Sequence, residues 1–277
     1  MTELFSVSMC VYGKDHPEWF KTAVESILNQ SVKPTEIILV VDGPVPENLK
    51  YTICAYESVP GFRVIWLPEN VGHGNARRIG LENCTYDLVA LMDADDISVS
   101  DRFERQLALF QENPKLSAVG GHIAEFIGHT EYIVGCRIVH SSSYEICRDL
   151  RKRCPMNQVT VMFRKSDVIA AGGYLDWYCN EDYYLWVRMY LKGMKFANSD
   201  HVLVNVRVGE DMYKRRGGWK YFVSEWKLQN YLLENKVIDP VTYCINVAKR
   251  LVVQVLLPNC LRGYVFQKFA RKQAVQQ

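Results

Sequence analysis

The sequence predicts an α/β fold with a mostly parallel central sheet covered by helices on both faces. Through the first hundred residues, short apolar, strand-like runs alternate with segments of helical spacing. The hydrophobic share is 48% over 277 residues, enough to bury a large core.

The elements follow in order. "FSVSMCVY" reads as a strand. Pro17 then opens a helix, "PEWFKTAVESILNQS", with Phe20, Val24, Ile27 and Leu28 on one face. "EIILVVDG" is a second, β-branched strand, followed by the turn-rich "DGPVPE" and a helix to about Ser58. "FRVIWLPEN" and "YDLVALMDADD" supply two more strands around the helix "GNARRIGLENC". Next comes the amphipathic helix "DRFERQLALFQENP", capped by Ser100, with Phe103, Leu107 and Phe110 facing inward. The regular alternation then stops, and "AVGGHIAEFIGHTEYIVGCRIV" reads as short strands and hairpins. "VTVMFRKSDVIAAGGYLDWYCNEDYYLWVRMYLKG" returns to strand, helix, glycine-rich loop and a longer helix from about Glu181 to Lys192.

Several function classes are disfavoured at the outset. Nine scattered cysteines without a C-x-x-C pair argue for reduced thiols, not a disulfide framework or zinc knuckle. The N-terminus has no basic region ahead of its apolar run, so no signal peptide is expected, and no window has the apolar length of a membrane span. A cytoplasmic location is the expectation. Charge is uneven: from Lys214 onward there are 12 Lys and Arg against 3 Asp and Glu, whereas the preceding 213 residues carry 21 against 28. The natural division is therefore 1–213, with halves of about 1–100 and 101–213, and a basic amphipathic helical extension at 214–277. No helix-turn-helix or aromatic-interleaved basic platform accompanies that extension, so nucleic acid is not an expected partner.

In parallel sheets ligands collect at the carboxyl ends of strands. Tyr12 ends the first strand, Asp42 the second, and Asp93, Asp95 and Asp96 the fourth, so these residues should share one rim. Three carboxylates within four positions repel, and at least one is pushed toward its protonated form unless a cation or donor-rich ligand sits among them. The sharper reading gives Asp95 to a hard divalent cation, Mn²⁺ or Mg²⁺, whose other ligands are phosphate oxygens and water. A solvated acidic turn is the plainer alternative. A helix-loop-helix calcium site fits poorly, because Ser98 stands where the sharp turn wants Gly.

"PENVGHGNARRIGLENC" is a second constellation. Its glycines match neither a dinucleotide fingerprint nor a P-loop, but a helix start carrying Arg77 and Arg78 near the strand ends could face a nucleotide. A glycine-rich turn that merely opens a helix is the alternative. In the third, "GGYLDWYCNEDYYLWVRM", Glu181 and Asp182 follow a loop in which Trp177 offers a ring face for a sugar. A carboxylate there could act as general base, or both acids could only complement the helix dipole.

Taken together, "VSMCVYG", "ESILNQSVKPTEIILVVDG", "NVGHGNARRIGL", "LMDADD", "GGYLDWYCNEDYYLWVRM" and "GEDMYKRRGG", in this order, resemble the inverting glycosyltransferases of family 2, with the GT-A fold, of the bacterial capsule, exopolysaccharide and O-antigen type similar to the amylovoran enzymes. The likeness spans roughly Phe5 to Gly218. It implies that 1–213 is the catalytic domain, nucleotide-binding in its first half and acceptor-binding in its second. It further implies that Asp42 reads the uracil of a UDP-sugar, that Asp93 lies by the ribose or donor sugar, and that Asp95 is the metal ligand of a D-x-D signature extended by Asp96. By the same likeness Asp182 is the catalytic base and Arg77 is nucleotide-proximal, with Tyr12, Asn70, Gly72, Trp177 and Glu181 among the substrate-binding residues. The A-R-N-x-G pattern of the family reads A-R-R-I-G here, with Arg78 in place of Asn.

The expected reaction is transfer of a hexose, galactose or glucose, from a UDP-sugar to a polyprenyl-diphosphate-linked glycan. A sugar-nucleotide pyrophosphorylase shares the sheet topology, but "CVYGKDHPE" lacks the Gly-rich, Arg-containing loop it would need after the first strand. The tail interleaves Leu251, Val252, Val253, Val255, Leu256 and Leu257 with Lys249, Arg250, Arg262, Lys268, Arg271 and Lys272, broken by Pro258. It is expected to lie on an anionic membrane surface, peripheral to the cytoplasmic face of the inner membrane, or else to pack on the domain with a solvated basic face.

Overall fold

The computed structural model describes residues 3–209 and 217–258. Strand β1 (Phe5–Tyr12) alternates strictly: Phe5, Val7, Met9 and Val11 enter one apolar core, and Ser6 and Ser8 face the other side. It is flanked by β2 (Glu36–Asp42) and β4 (Leu88–Asp93), with β3 (Phe62–Trp66) outside β2, all parallel. Helices α1 (Pro17–Leu28) and α2 (Glu47–Cys54) cross between the first three strands and α3 (His73–Asn83) precedes β4. The second helix stops at Cys54, a turn short of the expected Ser58.

The β4 side chains divide between two cores. Leu88, Ala90 and Met92 join α1 and the helix α4 (Arg102–Glu112), while Val89 and Leu91 join the opposite layer. A continuous apolar run is what burial on both faces requires. Helix α3 lies so close to the sheet that a Cβ on Gly80 would sit 2.5 Å from Ser8 Oγ. Asp101, not Ser100, occupies the N-cap position of α4, and its side chain makes no capping bond. Arg102, fully buried, donates to the Leu91 carbonyl at 2.8 Å and braces the end of β4.

The sheet then becomes mixed. The order is β3-β2-β1-β4-β8-β6-β9-β5, with β7 (Ile133–Arg137) paired to β6. Strand β8 (Met162–Arg164) runs antiparallel to β4 and to β6 (Leu116–Phe126), β9 (Lys195–Arg207) is parallel to β6, and β5 (Ile97–Ser98) pairs antiparallel with β9. The parallel character expected for the sheet thus belongs to its first four strands.

Where short strands and hairpins were expected, β6 is one buried eleven-residue strand and only its return through β7 is a hairpin. Its glycines serve close approach instead of ending the strand: a Cβ on Gly121 would meet Leu203 Cδ1 at 2.5 Å, and one on Gly120 would meet Asn198 Oδ1 at 2.5 Å. Helices α5 (Ser143–Asp149), α6 (Lys165–Ala170) and α7 (Glu181–Leu191) cover the second face together with α8 (Trp219–Glu234).

The last helix, α9 (Pro240–Leu251), continues through a π-helical turn, Val252–Leu256, and stops before Pro258. Its polar Asn246 and Gln254 are buried, while Val241, Ile245, Val252 and Leu256 face outward. Arg250 turns inward to Glu225 at 2.6 Å, so it does not belong to the solvated basic face expected of it. Among the described residues no helix is long and apolar enough to cross a membrane. Arg262, Lys268, Arg271 and Lys272 lie outside the described residues, as does most of "GEDMYKRRGG".

Candidate functional site

The carboxyl ends of β1, β2 and β4 form one rim: Tyr12 registers with Asp42, and Cys10 with Asp93. Tyr12 donates its N–H to Asp15 Oδ2 at 2.9 Å in a tight turn and is 39% exposed. Asp42 is buried, and its two carboxylate oxygens accept from the Val71 N–H at 2.7 Å and from Asn70 Nδ2 at 2.9 Å. That carboxylate seats the Asn70 loop over the rim. Gly43, at φ +86°, permits the approach, since a Cβ there would fall 2.6 Å from the Asn70 nitrogen. Gly72, at φ +87°, is the N-cap of α3.

From the first turns of α3, Arg77 reaches back to the rim. Nearly fully buried, it donates through Nη2 to Asp93 Oδ1 at 2.6 Å and through Nε to His73 Nε2 at 2.5 Å. The guanidinium pushes the histidine down to about 4, so the imidazole stays neutral and accepts. His73 Nε2 in turn stands 3.8 Å from Glu181 Oε1 at the start of α7. The hydrogen-bonded run Asp93, Arg77, His73 thus ends 3.8 Å short of Glu181 and brings the strand-end acids near the helix-start acids without a bond across the last step.

The β4 end is tied down by a residue from far along the sequence. Arg207, the last residue of β9, donates its backbone N–H to Asp96 Oδ1 at 2.8 Å and its Nε to the Asp95 carbonyl at 3.1 Å. Its guanidinium lies between the rings of Trp19 and Phe126, 4.8 and 4.6 Å from their centroids. Burial first, then the charges of Asp95 and Asp93, raise Asp96 well above the usual carboxylate range. Of the three acids it is the one whose surroundings most favour the protonated form. Asp95 is more open than Asp96.

At α7, burial and then the charge of Asp182 push Glu181 up to about 7. Burial likewise raises Asp182, against the Tyr183 N–H, which donates to Oδ1 at 2.6 Å, and the charges of Arg137 and Arg77. The Cys154 thiol lies 3.6 Å from Asp182 Oδ2 and stays protonated, held up chiefly by burial. Arg137 also holds the Cys154 carbonyl at 2.7 Å. Trp177, in the loop before α7, packs on Tyr184 with ring centroids 4.3 Å apart.

His73, Arg207, Cys154 and Arg137 are thus site residues that the sequence reading did not name. His73 stands one helical turn before Arg77, so a helix through "HGNAR" could have placed the two on one face. Nothing local marks the other three.

The donor set at the rim suits a divalent cation. It consists of carboxylate oxygens, which are hard ligands, and Arg77 and Arg207 engage Asp93 and Asp96 beside the more open Asp95. Among the described residues no three or more His, Cys, Asp or Glu surround a metal position, so protein oxygens alone would not complete such a site. A separate cleft of about 490 Å³ at the amino ends of β6 and β9, lined by Leu116, Arg164 and Lys195, lies away from these acids.

Residues 6–168 match the Glycosyl transferase family 2 profile. An uncharacterized glycosyltransferase of Haemophilus influenzae is 39% identical over 97% of this chain and 99% of its own length. The amylovoran biosynthesis glycosyltransferase AmsE of Erwinia amylovora is 37% identical over 84% of this chain and 87% of its own. The UDP-Gal:alpha-D-GlcNAc-diphosphoundecaprenol beta-1,3-galactosyltransferase of Escherichia coli is 34% identical over 98% of both chains. Among solved structures, Staphylococcus aureus TarS 1-349 in complex with UDP superposes with a TM-score of 0.60 at 17% identity, covering 95% of this chain and 74% of that one. The mannosyltransferase PcManGT of Pyrobaculum calidifontis, in complex with GDP-Man and Mn²⁺, gives 0.61 at 13%, covering 93% and 71%. The fold is therefore that of the GT-A transferases, and the chain belongs to glycosyltransferase family 2.

Proposed function

We propose that this glycosyltransferase moves a hexose, with inversion, from a UDP-sugar to a sugar carried on a polyprenyl diphosphate, in the assembly of a bacterial surface polysaccharide. The observation that carries the reading is proximity: the run Asp93, Arg77, His73 ends 3.8 Å from Glu181, so the strand-end acid cluster and the helix-start acid pair lie close together. Relatives support it: one is named for amylovoran biosynthesis, another for transfer from UDP-Gal to a diphosphoundecaprenol-linked GlcNAc.

The roles divide by surroundings. Asp42 and the Asn70 loop it holds receive the uridine end, and Asp93, fixed by Arg77, faces the ribose or donor sugar. Asp95 would hold the cation, Mn²⁺ or Mg²⁺, with Asp96 and Arg207 fixing the turn that presents it. A cation bound there supplies Lewis-acid stabilisation of the charge that develops on the departing diphosphate. Asp182 removes the proton from the acceptor hydroxyl; its raised pKa makes it a better base than an ordinary aspartate. The hydroxyl attacks the anomeric carbon opposite UDP in one displacement, so no covalent sugar intermediate forms. Glu181 and Trp177 border the acceptor.

The outward Val241, Ile245, Val252 and Leu256 of the last helix support a peripheral position on the cytoplasmic face of the inner membrane, where a lipid-linked acceptor resides.

The test is UDP release from a panel of UDP-sugars with Mn²⁺ and a synthetic sugar-diphosphate-lipid acceptor, the product anomer being read by NMR. A β-linked product from an α-linked donor is expected. Retention, or pyrophosphate formation from a nucleoside triphosphate, would overturn the reading.

A further inference from the structure

A groove of about 630 Å³ lies between the loop before α7 and helix α8. That volume is typical of small-molecule sites. Its lining is unusual for a surface groove: the rings of Trp177, Tyr178 and Trp219, with Lys220 and Lys227 and one acid, Asp176. Lys220 Nζ sits 4.1 Å above the Tyr178 ring, and the buried Trp177 indole N–H has no hydrogen-bond partner among the described residues. Trp219 is 63% exposed, an apolar surface that costs free energy in water.

The groove is also built onto the catalytic helix. Ser224 of α8 donates its hydroxyl to the Tyr178 carbonyl at 2.5 Å and accepts from Asn180 Nδ2 at 3.1 Å. Asn180 is the N-cap of α7 and directly precedes Glu181 and Asp182. One wall of the groove is therefore tied to the N-terminus of the helix that carries those acids.

The geometry points to this groove as the subsite for the diphosphate and first isoprene units of the lipid-linked acceptor. Resting on the transferase reading above, it assigns to α8 a specificity role that extends past the matched residues 6–168. Two ammonium groups against one carboxylate complement a diphosphate, and the three aromatic faces suit the lipid chain next to it. The chemistry requires both together: a free diphosphate would leave the rings unused, and a neutral lipid would leave the lysines unpaired.

The probe is undecyl diphosphate, titrated against the full chain by tryptophan fluorescence, with no donor sugar present. Saturable binding is expected, weakened about tenfold or more in Lys220→Ala/Lys227→Ala and also in Trp219→Ala, as loss of charge-assisted and aromatic contacts implies. Both lysines and Trp219 are exposed, so these variants should fold. Equal affinity in parent and variants, no binding by the parent, or inorganic pyrophosphate binding as tightly as the alkyl ester would each overturn the assignment. Because this titration involves no turnover, it stands or falls apart from the transfer reaction. Conversely, parental transfer with an unchanged acceptor KM in the lysine double variant would remove the groove and leave the proposed function standing.

Discussion

The two acid clusters share one feature and differ in another: burial raises Asp96 in the first as it raises Glu181 and Asp182 in the second, but among the described residues only the first holds an acid, Asp93, bonded directly to a guanidinium. At the end of β4, positive and N–H partners meet the carboxylates: Arg77 on Asp93, and the Arg207 backbone on Asp96. At the start of α7 the immediate donors are weak or neutral, the Cys154 thiol and the Tyr183 N–H, while burial pushes both acids up. An acid paired with a guanidinium, as Asp93 is, can hold its negative charge in place. One left under-compensated binds a proton more readily, as general-base work requires. The lesson is that position at a strand end or a helix start does not assign a role; the neighbours do.

Removing the proposed base should show the difference most strongly. Asp182→Asn is expected to lower kcat by about 10²-fold or more while UDP-sugar affinity is retained, the scale of general-base loss. Steady-state kinetics beside a donor titration checks it; near-parental turnover would move the base elsewhere.

Next, Arg77→Met removes the ion pair to Asp93 and the hydrogen bond to His73. Asp93 is about a third exposed, so the cost should fall at the lower end for a broken ion pair, about 2 to 3 kcal/mol in urea unfolding. No loss of stability would mean that the bridge carries no weight.

Glu181→Gln tests the under-compensation directly. Because the folded state holds this carboxyl up to about 7, against an ordinary value of 4.5, the folded protein keeps a proton that the unfolded chain has already released. Stability attributable to this group therefore falls as pH rises from 4.5 to 7, with the whole penalty present above 7. The glutamine variant should be more stable than the parent by about 2 kcal/mol at pH 8.5 and show little difference at pH 4. Equal effects at both pH values would contradict the assignment.

The smallest effect belongs to Cys154→Ala. Losing the S–H donor to Asp182 should move the acidic limb of the pH–rate profile upward by a few tenths of a pH unit, as expected for one weak hydrogen bond. A downward shift would reverse the sign of the contact.

Legibility in the sequence followed the range of the contacts. The rim of Tyr12, Asp42 and Asp93 was readable because parallel strands with regular crossovers must align their carboxyl ends. That one acid of "DADD" is pushed toward its protonated form unless a cation or donor-rich ligand sits there follows from charge spacing alone, but which one, Asp96, depends on burial that only the fold shows. Arg207 stands 111 residues from Asp96, and no local pattern reports such a partner. The long strand β6 was misread because its Gly120–Gly121 pair looks like a turn until Leu203 and Asn198 are seen pressing against it. The inward turn of Arg250 was hidden in the same way, since its partner Glu225 belongs to another helix.

Anomalous diffraction from a crystal grown with Mn²⁺ and a non-hydrolysable UDP-sugar tests the division of the cleft most directly. A manganese peak at the Asp95 carboxylate, with the anomeric carbon turning its free face toward Asp182, is the result this account predicts. A peak elsewhere, or a sugar whose open face looks away from α7, would contradict it.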